Sequence, residues 1–349
     1  MFVKLKYILL SIFSTLICYF TSAETIVSPF NGKSINTDSL ATSSYSFVCW
    51  GHWYGSPLNW HSALPSATVL SNIDSINAIQ PTFIMAMGDL YRHTDSSTFY
   101  HFKSLVLKKF TSPIFNAVGN HEMDDRSFYE SQFGKTIYSF RINGEIYIVL
   151  DGEIANCDLE GEQLSFFINK LDSALNDNSI KNVFIISHKL IWSTLDGVTE
   201  IFKNIHSNYE CYNYSTFIES IYPKLLNLSD KKPVYWISGD YGFSLFYHKI
   251  KDHDLTFLAC SITDSDEDAY LKFSISNDDK VYIQANSFTG KKLLPLESYN
   301  IDYWKLHLTN MNIISKAQLM VYNKYFWCGI TISLLLILSG ITLMRLRNK

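Results

Sequence analysis

The chain has 349 residues, of which 47% are hydrophobic and 18% charged, and a formal net charge of −4 at pH 7. Such a composition marks a globular protein with ample core material. It carries no basic footprint, which argues against nucleic acid as a partner.

In chain order, residues 1–23 read as a signal peptide. Lys4 and Lys6 precede the apolar run Tyr7 to Phe20, and Thr21, Ser22 and Ala23 offer small residues before a cut at Glu24. A single domain is expected over 24–286, since no repeat, low-complexity tract or Gly/Pro/Ser linker divides it. Its first β-type run, Tyr45 to Cys49, stops at Gly51-His52. Ser66 to Gln80 follows with Val69, Leu70, Ile73 and Ile76 mostly on one helical face. The run Phe83 to Met87 ends in Gly88-Asp89, and a second helix pattern covers Thr98 to Phe110. Ile114 to Val118 then ends in Gly119-Asn120-His121-Glu122.

A hairpin is expected next, because Asn143-Gly144 separates the β-type runs Ile137 to Ile142 and Glu145 to Leu150. Gly161-Glu162-Gln163-Leu164 opens a helix whose Leu164, Phe167 and Leu171 face inward. Val183 to Ser187 stops at His188, and Val234 to Ser238 stops at Gly239-Asp240. Beyond Asp240 the chain is β-rich, from Leu245 to Thr263 and from Tyr270 to Ala285. The fold class is therefore α/β, with two mixed sheets packed as a sandwich between outer helices.

Residues 287–324 read as a stalk. Tyr325 to Met344 is nearly all apolar and uncharged, about the length a spanning helix needs. Tyr322, Tyr325, Phe326 and Trp327 border it, and Arg345, Arg347 and Lys349 follow, which predicts a cytoplasmic tail at 345–349. The expectation is one C-terminal membrane span with the domain outside the cytoplasm. Cys49 and Cys260 lie in apolar runs and read as buried thiols, whereas Cys157 and Cys211 lie in polar stretches and are the candidate disulfide pair. Asn213-Tyr214-Ser215 and Asn227-Leu228-Ser229 match the glycosylation sequon, which matters only in a eukaryotic source.

Five short β-type runs thus stop at a side chain able to bind metal: His52, Asp89, Asn120 with His121, His188 and Asp240. Any one is ordinary strand-end chemistry. In open α/β sheets, however, the functional crevice lies beyond the carboxyl ends of the strands, where residues distant in sequence converge.

Over residues 45–285 the pattern resembles the calcineurin-like metallophosphoesterases, whose motifs run Asp-x-His, Gly-Asp, Gly-Asn-His-Asp/Glu, a lone His, and Gly-His-x-His. Gly88-Asp89, Gly119-Asn120-His121-Glu122 and His188 match, as does the Gly161-x-Gln163-Leu164 helix. Both outer motifs depart: Trp50 stands at the first Asp, Asp240 at the first His of the last motif, and Gly242 at the second. The resemblance implies that Asp89, Asn120, His188 and Asp240 hold one divalent metal. This set suits Mn²⁺, Mg²⁺ or Fe²⁺, with Zn²⁺ allowed. A second site keeps only His52 and Asp89 unless Asp151, Glu153 or His93 moves in, so one tightly held metal is expected. His121 would be the general acid, His52 a ligand or a binder of a phosphate oxygen, and Arg92 a substrate-binding charge.

The function expected from these residues is a membrane-anchored, extracytoplasmic phosphoester hydrolase, with a lipid-linked or cell-envelope phosphate as its substrate. The competing reading is a catalytically silent binding or assembly protein at the membrane. A serine hydrolase using Ser187 or Ser238 with His188 lacks a nucleophile-elbow sequence.

Overall fold

The computed structural model describes residues 25–40, 43–56, 64–205, 216–309, 321 and 324–347. The expected signal peptide, Cys211 and the Asn213 sequon lie outside these residues.

Two mixed sheets form the body. The five-stranded sheet contains β3 (Tyr45–Trp50), β4 (Phe83–Ala86), β5 (Ile114–Asn116), β12 (Ala269–Ile275) and β13 (Val281–Ser287), in the order β13-β12-β3-β4-β5. The six-stranded sheet contains β6 (Tyr138–Ile142), β7 (Glu145–Val149), β8 (Asn182–Ser187), β9 (Val234–Ser238), β10 (Leu245–Lys249) and β11 (Leu255–Cys260), in the order β10-β11-β9-β8-β7-β6. A small ribbon, β1 (Thr25–Val27) with β2 (Ser34–Asn36), precedes them. The central pairs β3–β4–β5 and β7–β8–β9 are parallel, so their carboxyl ends share one edge of the sandwich. The outer pairs are antiparallel, and Asn143-Gly144 makes the β6–β7 hairpin with Asn143 at φ 52°.

Aromatic residues cement the sheets. Phe47 stacks along its own sheet on Phe83 at 4.8 Å and Phe273 at 4.6 Å, and meets Tyr147 and Phe184 of the other sheet edge-on at 5.5 and 5.4 Å. Such pairs add about 0.5–1.5 kcal/mol each beyond the burial of their area.

Helices cover the outer faces. The first, α1 (Ala67–Ile79), starts where Ser66 Oγ accepts the Val69 amide, and it buries Val69, Ile73 and Ile76. Next come α2 (Ser96–Leu105), α3 (Arg126–Phe133), α4 (Gly161–Asn176), α5 (Val198–Ile205) and α6 (Tyr222–Ser229). Of these, α4 packs on β7 and α6 on β9 and β11.

The described start of the expected stalk lies against the domain, where α7 (Ile301–Thr309) packs on α5. Trp304 is buried, donates Nε1–H to the Leu245 carbonyl at 3.1 Å and stacks obliquely on Phe243. Tyr299 O accepts the Tyr247 amide at 3.0 Å. The physical reason is that β10 is an edge strand whose outer amides need cover.

The C-terminal helix α8 runs Lys324–Arg347. Its side chains are described only from Tyr325 to Ser339, and among the described residues no helix is long and apolar enough to cross a membrane. The side chains of the rest of the expected span, 340–344, lie outside those described. Cys49 and Cys260 are free and buried as expected, and Cys157 is disulfide-bonded to a partner outside the described residues.

Candidate active site

The loops at the carboxyl ends of the central strands are hydrogen-bonded to one another before any side chain is considered. The His52 amide donates to Gly88 O at 2.9 Å, and the Tyr54 amide to Asp89 O at 3.0 Å. Across the sandwich, the amides of Gly239 and Asp240 donate to His188 O at 3.0 and 2.9 Å. Gly88 has φ 81°, and a Cβ there would collide with the His188 ring, so the β4 turn depends on glycine.

Asp89 and His52 both adopt φ 57°, a left-handed conformation that costs non-glycine residues of order 1–3 kcal/mol. Glu122 holds the Asp89 turn in place. Its fully buried carboxylate accepts the amides of Asp89 at 2.9 Å, Gly119 at 2.7 Å and Leu90. Burial, with the Asp89 charge, pushes the Glu122 carboxyl up to about 8.

Four of the sequence candidates meet here. Asp89 Oδ2 lies 3.4 Å from His188 Nε2 and 3.7 Å from His52 Nε2, and His188 Nε2 lies 3.9 Å from Asp240 Oδ2. Each imidazole is anchored by its other nitrogen. His188 Nδ1 bonds Met87 O at 2.7 Å and His52 Nδ1 bonds Ile262 O at 3.0 Å. In the neutral rings these bonds keep the proton on Nδ1 and turn the Nε2 lone pairs toward Asp89. His188 Nε2 is buried without an aligned hydrogen-bond partner, the Asp89 carboxylate being near but off line.

The electrostatics ask for a positive charge at this point. Burial opposes charging of His188, yet the Asp89 and Asp240 carboxylates raise it to about 10. Burial likewise opposes ionisation of Asp89, yet the facing imidazoles, His188 foremost, hold it well below the usual carboxylate range.

Among the described residues no group of three or more His, Cys, Asp or Glu side chains is placed so that it could hold a metal ion. The hub separations of 3.4–3.9 Å compare with about 3.4 Å between ligands on a tetrahedral ion with ~2.1 Å bonds. Asn120 lies in the adjoining turn, but its side chain is exposed and makes no hydrogen bond or ion pair with the hub among the described residues.

Of the three residues named as replacements for the lost ligands, one reaches the site. Asp151 is buried against Arg126 at 2.7 Å, and His93 pairs at the surface with Asp124 at 3.7 Å. Glu153 does face the hub, 3.8 Å from Lys189 Nζ, and burial pushes its carboxyl up to about 7. Lys189 Nζ lies 3.6 Å from Asp240 Oδ2. Trp50, at the position of the missing Asp, is fully buried on the opposite face of β3, stacked on Trp53 at 4.7 Å and edge-on to Phe288 at 5.4 Å.

His121 is engaged through both ring nitrogens, which gives no support to the expected role as proton donor. Its Nδ1 bonds the Arg92 carbonyl at 2.9 Å, and its Nε2 lies 2.9 Å from Arg92 Nη1. The guanidinium can only donate, so Nε2 is the acceptor and the ring is neutral. Burial also lowers the His121 pKa. Arg92 Nη1 further donates to Tyr54 OH at 3.0 Å, and its guanidinium lies 5.0 Å from the Tyr54 ring centre. The imidazole therefore aims Arg92. Nor are the serines nucleophiles: Ser187 and Ser238 are buried, bonded to each other at 3.1 Å and to Trp236 and Trp192, while both His188 nitrogens point elsewhere.

Sequence reasoning missed Lys189, Glu122 as a support and Tyr54. Only Glu122 carried a signal, as the last residue of its motif.

No protein-family model and no curated protein sequence matches the chain. Solved structures do. Purple acid phosphatase PPD1 from yellow lupin (Lupinus luteus) matches 77% of this chain at 11% identity and a TM-score of 0.51. The match spans 54% of that protein, so the chain covers about half of its length. A dimetal phosphatase from Danio rerio matches 70% of this chain and 96% of its own at 11% identity, with a TM-score of 0.47. The TT1561 protein of Thermus thermophilus gives 11% identity, 70% and 100% coverage and a TM-score of 0.39. The chain has a fold like that of the lupin phosphatase: two mixed sheets with flanking helices.

Proposed function

We propose that this protein is a metal-dependent phosphoester hydrolase with its centre at Asp89. The observation that carries the reading is His188, whose buried Nε2 faces two carboxylates while its Nδ1 is tied to a backbone carbonyl. His52, Asp89, His188 and Asp240 would hold a single divalent ion, Mn²⁺, Fe²⁺, Mg²⁺ or Zn²⁺. When bound, such an ion lowers the pKa of a coordinated water and polarises a phosphoryl oxygen. The side chains supply the rest. Arg92, braced by His121 and Tyr54, binds a phosphate oxygen through its fork of donors. Glu122 keeps the Asp89 turn rigid through three amide bonds.

The reading includes a tether, resting on the apolar sequence from Tyr325 to Met344 and the basic residues after it. The exposure of Leu334 to Leu338 is consistent with it. On this reading the domain would lie outside the cytoplasm, near lipid-linked or envelope phosphates. Resistance of the full-length protein to extraction from membranes by alkaline carbonate tests the tether, and its release into the wash would remove it.

A second reading, a silent binding protein, is favoured by Trp50 in the core and by the engagement of His121 with Arg92. One assay separates the two. The full-length protein would be incubated with Mn²⁺ or Fe²⁺ and phosphomonoester or phosphodiester substrates beside His188→Ala. Hydrolysis that EDTA abolishes and the variant lacks supports the enzyme, whereas identical traces from both proteins support the silent form.

A further inference from the structure

Resting on the reading of this centre as a phosphoester site, we propose that Lys189 is a substrate-binding cation. Its ammonium takes a nonbridging oxygen of the phosphate on the His188 side, opposite Arg92.

The placement is built into the fold. Lys189 follows the last residue of β8 and His188, and its carbonyl accepts Ser187 Oγ at 2.7 Å. Its stem crosses Gly152, where an added Cβ would lie 2.8 Å from Lys189 Cβ and 2.9 Å from Cγ. The backbone and the first carbons are thereby pinned, and the ammonium points toward Asp240 and Glu153 at 3.6 and 3.8 Å. The side chain is 18% exposed, unlike a surface lysine.

Charge gives the placement meaning. Asp89, Asp240 and Glu153 bring three carboxylates together, and Lys189 offsets one of them. The remaining negative charge matches one divalent cation. With Arg92 added on the His52 side, the site is net positive and suits a phosphate ester. A compact ammonium serves this purpose as a point charge, where the planar guanidinium of Arg92 fixes orientation.

The test measures two affinities in the full-length protein. Mn²⁺ binding is followed by paramagnetic resonance of the free ion, and inorganic phosphate binding by calorimetry, for the native chain, Lys189→Met and Lys189→Arg. Lys189→Met is expected to bind phosphate about tenfold more weakly, and Mn²⁺ at least about threefold more tightly because a like charge has gone. Lys189→Arg should restore phosphate binding to within about threefold, which also shows that the position tolerates change. Unchanged phosphate affinity in Lys189→Met, or parallel weakening of both ligands as a purely structural lysine would give, overturns the proposal. If the native chain binds no Mn²⁺, the metal reading fails instead. Phosphate binding then decides alone: loss in Lys189→Met supports the role, and no change overturns it.

Discussion

The two sides of the candidate site are built in opposite ways. At the end of β3 the chain has a buried indole at the position where the family resemblance calls for a carboxylate, and Trp50 belongs to the aromatic layer with Trp53 and Phe288. At the ends of β8 and β9 it has polar chemistry, with His188, Lys189 and Asp240 gathered within ion-pair distance. One side is core and the other is charge.

The largest expected effect tests the first side. Trp50→Asp should not restore a metal site, because the side chain leaves β3 on the face away from Asp89. Instead it should cost upwards of about 3–5 kcal/mol in urea unfolding, the usual toll of truncating a buried aromatic, plus that of a buried charge. A stable variant that gains a second Mn²⁺ equivalent would break the comparison.

On the other side, His188→Ala should lower kcat/KM at least about a hundredfold, equivalent to about 2.7 kcal/mol or more of transition-state stabilisation. Retained activity there would end the hydrolase reading.

Below His188's pKa of about 10, a proton and a metal compete for Nε2. Mn²⁺ affinity should therefore rise with pH, by up to about tenfold per unit. For the metal-free protein the sign runs the other way. The His188 pKa is raised on folding, so its stabilising contribution is complete below about 6.5 and is lost as pH rises toward about 10. Thermal unfolding in EDTA across this window checks it.

A smaller effect separates His121 from Arg92. Arg92→Ala should raise KM about tenfold, and His121→Gln, which can still accept from the guanidinium, should stay within about threefold of native. A far larger loss in His121→Gln than in Arg92→Ala would return the imidazole to proton transfer. Asn120→Ala should change Mn²⁺ affinity least, by less than about threefold, since its side chain is exposed.

The strands and the polar residues at their ends were legible because strand ends and turn residues are local. Apolar runs closed by Gly88-Asp89 or Gly239-Asp240 say where a strand stops and what it offers. The direction of Trp50 was also open to reading. Phe47 points between the sheets, and strict alternation along β3 sends residue 50 to the opposite face. Lys189 gave no such sign, because a lysine after a histidine looks solvated until a loop closes over it. The buried Trp304 was read as stalk because nothing local says that β10 is an edge in need of cover.

By itself, then, the sequence determined the elements, their order and the polar residues set at their ends, since each depends on neighbours a few positions away. Tertiary structure decided which of those residues meet, which nitrogen of each imidazole is already engaged, and which charges a site must share. Those properties arise from groups far apart in the chain, as when Met87 O fixes the ring of His188. No local pattern can encode them.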